Sequence, residues 1–87
     1  MIQRTVTAGT AEKQDVLVTV GPGECTQILI ERAPHPRFHD ALCQTVRETL
    51  KELSIHDVRV EISDYGALEF VIQARLRAAI KLAKEGV

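Results

Sequence analysis

Apolar and polar residues alternate most cleanly from Asp57 to Ser63 (DVRVEIS). Val58, Val60 and Ile62 fall on one side of the alternation and Arg59, Glu61 and Ser63 on the other. A period of two is that of a strand with one face buried and one in water. Asp15 to Val20 (DVLVTV) is β-branched and puts Val16, Val18 and Val20 on one face, which predicts another strand. Gly21-Pro22-Gly23 follows with turn chemistry, and Glu24 to Glu31 (ECTQILIE) is the next strand candidate. A connection this short predicts that those two strands pair antiparallel. Met1 to Thr7 is a candidate for a further edge strand.

Elsewhere the apolar period lengthens to that of a helix. Phe38, Leu42, Val46, Leu50 and Leu53 recur every three or four residues and predict an amphipathic helix from about Pro36 to Leu53. Pro34 and Pro36 keep the preceding segment from being helical throughout. A second helix is predicted from about Ala67 to Lys84, with Ile72, Leu76, Ala79, Ile80 and Ala83 on its buried face. Asp64 is placed to cap its start, Lys81 and Lys84 suit its C-terminal dipole, and Gly86 is a terminator. The order strand, strand, helix, strand, helix buries every apolar stripe most simply as a two-layer α+β fold. In it a small, mostly antiparallel sheet carries two amphipathic helices on one face.

Composition narrows the functional classes. At 87 residues the natural prior is a single domain, 1–87, with a thin core. Phe38, Phe70 and Tyr65 are the only aromatics of the Phe, Trp and Tyr type, so that core must be aliphatic. The net charge is −1 and no basic stripe stands out, which removes both the electrostatic and the stacking signature of nucleic-acid binding. No apolar run approaches the roughly 20 residues of a membrane span, and Met1 to Thr5 lacks a secretory apolar core. The expectation is a cytoplasmic protein with Cys25 and Cys43 as reduced, buried thiols.

Catalytic patterns are missing. Gly21-Pro22-Gly23 is no phosphate loop. His39 and Cys43 stand one helical turn apart, but two ligands do not close a metal site, so His39 is expected exposed and Cys43 packed. Ser54 and Ser63 lack a nucleophile context, and no Asp-Ser-Leu tripeptide of a four-helix phosphopantetheine carrier is present. An enzyme acting alone is not indicated.

Two stretches carry a family likeness. Ala8-Gly9-Thr10-Ala11-Glu12-Lys13-Gln14-Asp15-Val16 is one, and Asp64-Tyr65-Gly66-Ala67-Leu68-Glu69 leading into Ala74-Arg75-Leu76-Arg77-Ala78-Ala79 is the other. Together they resemble the gamma, or acyl carrier, subunit of citrate lyase, with its AGT-x-E-S-x-D segment and later D-x-GAL-[DE] and A-R-x-x-A motifs. The resemblance implies a non-catalytic carrier whose serine bears a phosphoribosyl-dephospho-coenzyme A arm. That arm shuttles acetyl and citryl groups between the alpha and beta subunits after a prosthetic-group transferase has attached it. Tethering of this kind works by raising effective concentration.

Here Lys13 stands at the family's serine position, flanked by the matching Gly9, Thr10, Glu12 and Asp15. An ammonium group forms no phosphate ester, so the resemblance implies a carrier without its arm. Three origins stay open: a substitution introduced to block modification, a natural paralogue that has lost the arm, or use of another hydroxyl, Thr10 being nearest. Loss ranks above relocation, because a transferase must position one hydroxyl closely. The alternatives are a stand-alone protein-interaction module with the carrier fold and a delta-type carrier of malonate decarboxylase. Docking candidates are Arg59, Glu61 and Arg77. The loop around Glu12 is expected to face water.

Overall fold

The computed structural model describes residues 2–85; Met1 of the predicted N-terminal strand and the predicted terminator Gly86 lie outside them. The elements are β1 (Val6–Gly9), β2 (Val16–Pro22), β3 (Gln27–Arg32), a 3-10 turn (Pro36–Phe38), α1 (His39–Glu52), β4 (Val58–Asp64) and α2 (Glu69–Glu85). The fold is α+β, with one four-stranded sheet in the order β1-β2-β4-β3.

The alternating strand sits at the centre. β4 pairs antiparallel with β2, Val18 opposite Ile62 and Val20 opposite Val60. Its Val58, Val60 and Ile62, with Val16, Val18 and Val20 of β2, have no solvent exposure. α1 adds Leu42, Val46 and Leu50 to this core, and α2 adds Ile72, Leu76, Ala79, Ile80 and Ala83. The small Ala79 and Ala83 let α2 lie close against the sheet.

The expected antiparallel pairing of the second and third strands is wrong. β3 pairs with β4 instead, and in parallel. Gly21 and Pro22 continue β2, opposite Arg59 and Val58, rather than making a turn. A Cβ on Gly21 would lie 2.8 Å from the Thr5 hydroxyl, so glycine here permits close approach inside a strand. Pro22 ends the strand, where a missing N–H costs least. The chain then carries β3 across to the far side of β4, and α1 makes the crossover that a parallel pair requires. A bulge between Ile30 and Arg32 places Glu31 out of register.

Several boundaries also move. The N-terminal strand starts at Val6, not Met1. Before it, Ile2 is buried, the Gln3 N–H donates to the Ala83 carbonyl and Arg4 donates to the Leu82 carbonyl, tying this segment to the end of α2. Phe38, predicted in the α1 stripe, lies in the 3-10 turn that opens the helix and is 41% exposed. α1 ends in a Schellman arrangement: Ile55 N–H donates to the Leu50 carbonyl and Ser54 N–H to the Lys51 carbonyl, with Ser54 at φ 54°. No helix among the described residues is long and apolar enough to cross a membrane.

Candidate functional site

The β1–β2 connection, residues 10–14, is exposed throughout, and Lys13 sits in its turn. Its shape begins with Gly9, at φ 94°, where an added Cβ would fall 1.9 Å from the Val16 carbonyl oxygen. A left-handed backbone pressed this closely against another carbonyl accepts glycine alone. Gln14 is also left-handed, at φ 68°. Its N–H donates to the Tyr65 carbonyl at 2.8 Å, and the Tyr65 N–H donates back to the Asp15 carbonyl at 2.9 Å. The two motif segments, far apart in sequence, are thus stitched together at one end of the sheet.

Asp15 is the hub. One carboxylate oxygen accepts from the Thr10 hydroxyl at 2.7 Å and the other from the Val16 N–H at 2.8 Å. Arg75 reaches from α2 to grip both oxygens, at 2.9 and 3.2 Å. The Thr10 hydroxyl, then the Arg75 guanidinium and the Val16 N–H, hold the Asp15 carboxyl down to about 2. The Thr10 hydroxyl also accepts from the Glu12 N–H at 3.3 Å, which braces the turn before Lys13.

The second segment is braced in the same way. The Asp64 carboxylate accepts from the N–H groups of Gly66 and Ala67 at 3.0 and 2.9 Å. α2 starts only at Glu69, so Asp64 fixes the turn ahead of the helix rather than capping its first turn. The Arg32 guanidinium lies 4.7 Å from the centre of the Tyr65 ring.

The expected site residues Gly9, Thr10, Glu12, Lys13 and Asp15 therefore form one loop, with Lys13 and Glu12 in solvent. Arg75, Tyr65 and Arg32 complete it; none was expected as a site residue, although Tyr65 and Arg75 lie in the second motif. Among the described residues no group of acidic, His and Cys side chains has the make-up of a metal site. His39 is exposed and Cys43 half-buried, with Sγ 4.0 Å from His39 Nδ1. Cys25, expected buried, is exposed, because β3 begins only at Gln27 and leaves it in the connection. Of the docking candidates, Arg77 is paired with Glu52 at 2.6 Å and Arg59 with Glu61 at 3.5 Å.

Residues 3–83 match the family model described as ACP, malonate decarboxylase delta subunit (MdcD). The citrate lyase acyl carrier protein of Klebsiella pneumoniae is 42% identical over 74 residues, 83% of this chain and 76% of the relative. That of Clostridium perfringens is 36% identical over 86 residues, 97% of this chain and 85% of the relative.

The chain belongs to this acyl carrier family.

The family's fold is recognisable beyond sequence. A Pseudomonas malonate decarboxylase hetero-tetramer solved in complex with malonate contains a chain that superposes with a TM-score of 0.75 at 15% identity. The match covers 94% of this chain and 86% of that one. A Thermus thermophilus structure matches at 0.56 and 14% identity, over 98% of this chain but 16% of the other. At such identities the likeness is one of fold.

Proposed function

We propose that residues 1–87 act as one carrier-type domain, the gamma subunit of a citrate lyase complex, carrying no prosthetic arm in this form. The observation that carries the proposal is the braced, fully exposed loop with Lys13 in its turn, on a chain whose relatives are citrate lyase acyl carriers. A loop fixed at both ends and free in the middle suits approach by large partners, here the alpha and beta subunits. We place this work in the cytoplasm, where Cys25 and Cys43 remain thiols.

The phosphoribosyl-dephospho-coenzyme A group does not fit the residues present. Lys13 offers an amine where an ester needs a hydroxyl. Thr10 is an unsuitable substitute, since its hydroxyl donates to Asp15 and accepts from Glu12, and esterification would break the donor bond. Loss of the arm is therefore favoured over its relocation.

The test is co-expression of the chain with the citrate lyase large subunits and the prosthetic-group transferase. Recovery of a large subunit with the chain is expected, with an intact mass unchanged in the Lys13 form and increased in the Lys13→Ser form. If neither large subunit is recovered, the proposal fails. A mass gain on the Lys13 form would overturn the loss of the arm.

A delta-type carrier of malonate decarboxylase is the second reading, favoured by the family model's description and by the superposition on a chain of that hetero-tetramer. It ranks lower because relatives matching most of the chain at 36–42% identity carry the citrate lyase name. Recovery with malonate decarboxylase subunits alone would reverse the order. Recovery with neither set leaves the stand-alone interaction module, for which the motive is Lys13 itself.

A further inference from the structure

Lys13 and Arg32 line a common hollow of about 320 Å³ with Pro34, Asp64 and Tyr65. Among the described residues neither cation has a carboxylate within salt-bridge distance. Asp64 lines the hollow too, but its Oδ1 is committed to the Gly66 and Ala67 N–H groups. The Tyr65 ring supports the Arg32 guanidinium from one side, which restricts its orientation while leaving its charge available. The hollow thus sets two cations against one carboxylate and keeps an excess of positive charge.

Pro34 and Asp64 also belong to the wall of a second depression of about 480 Å³, so the two adjoin across these residues. This one is an apolar trough between the start of α1 and the start of α2, walled by Phe38, Leu42, Leu68 and Ile72. Phe38 and Leu68 are 41% and 64% exposed, so they contribute to the trough rather than to the core. Its size lies within the roughly 300–1,000 Å³ of small-molecule sites. Cationic mouth and apolar trough together define a ligand with an anionic end and a linear apolar body.

We propose that the chain binds a linear phosphate ester non-covalently, its phosphate between Lys13 and Arg32 and its chain along the trough toward Leu68. Two cations of different geometry, a point-like ammonium and a forked guanidinium, suit a dianion with several free oxygens better than a carboxylate. The residue that removes the hydroxyl of the family's loop supplies the first of those charges. The proposal does not rest on assembly with a lyase, because the isolated chain contains every group it uses.

Hexyl phosphate, titrated into the isotope-labelled chain and followed by NMR, tests it. Saturable amide shifts should appear together at Lys13, Arg32, Tyr65 and Leu68, with tighter binding than inorganic phosphate, hexanol or hexanoate. Lys13→Gln and Arg32→Gln, both at exposed positions, should each weaken hexyl phosphate about tenfold, and added salt should weaken it further. Ala41→Phe, in the wall of the trough, should remove the advantage of hexyl phosphate over inorganic phosphate without changing the latter. Shifts elsewhere, or affinity insensitive to both cation variants, would overturn the site. Hexanoate binding as tightly as hexyl phosphate would overturn the ligand class. Binding only to vesicles of phosphatidylcholine and phosphatidic acid, with none to the soluble ester, would replace the pocket by a lipid surface.

Discussion

Gly9→Ala tests whether the exposed loop owes its shape to the backbone at its base. At φ 94° an L-residue pays a left-handed penalty of about 1–2 kcal/mol. The new Cβ would also fall 1.9 Å from the Val16 carbonyl oxygen, a backbone atom that no rotamer change can move aside. Relief requires the strands to part where Gly9 faces Leu17, at a cost of about 1 kcal/mol for one lost ladder bond. The expected loss is about 2–3 kcal/mol, against a total stability of about 4–13 kcal/mol for a chain of this size. The variant should therefore still fold. In urea, with a slope of about 1 kcal/mol/M, the midpoint should fall by about 2–3 M. Amide exchange should quicken first at Leu17 and at Gln14, whose N–H is held by Tyr65. A midpoint within about 0.5 M of the parent would refute the argument that Gly9 is required by its conformation.

Two further outcomes are expected. Ser54 occupies the left-handed position that glycine fills best, so Ser54→Gly should add about 0.5–1 kcal/mol and raise the melting temperature by about 3–6 °C; an unchanged or lower value would count against the Schellman assignment. The carboxyl of Asp15 is held at about 2 against an ordinary 3.8, so its stabilisation is complete above the ordinary value and drains away as pH falls towards about 2. Asp15→Asn should flatten the stability profile within that window and leave its slope above pH 5 unaltered (about one unit beyond the ordinary carboxylate range); a parallel profile in both proteins would show that Thr10 and Arg75 do not hold the charge.

Sequence alone was a good guide to which residues are buried and a poor one to which strands meet. Alternation identified the inward face of β4, and Val58, Val60 and Ile62 are fully buried. Alternation carries no information about neighbours, however, and the short link through Gly21-Pro22-Gly23 pointed to a hairpin. That hairpin does not form because β2 runs on through Gly21 and Pro22 to pair with β4 along its whole length. β3 is left to the other edge of β4, where Ile28 and Ile30 pack against the core and Leu29 points to water. The loop was legible as a unit because its residues are contiguous. Its anchors were not, since the Asp15–Arg75 contact spans sixty positions and no periodicity links the residue before a strand to the middle of a distant helix. Cys25 was misplaced for a simpler reason: the strand expected from Glu24 put it inside an element, whereas β3 begins only at Gln27.

The parallel pairing of β3 with β4 dictates an order of events during synthesis. β1 and β2 can zip into a ribbon as soon as they leave the ribosome, for their partners are adjacent in the chain. β3 emerges next with nothing to bind, because the strand that joins it to β2 is not translated until α1 has passed. Until then, besides the outer edges of β1 and β3 that stay open in the finished sheet, the growing polypeptide offers the two strand borders that β4 will cover, one on β2 and one on β3, to any passing extended segment. Arrival of β4 closes both at once, in a step governed by distant rather than local contacts and correspondingly slow.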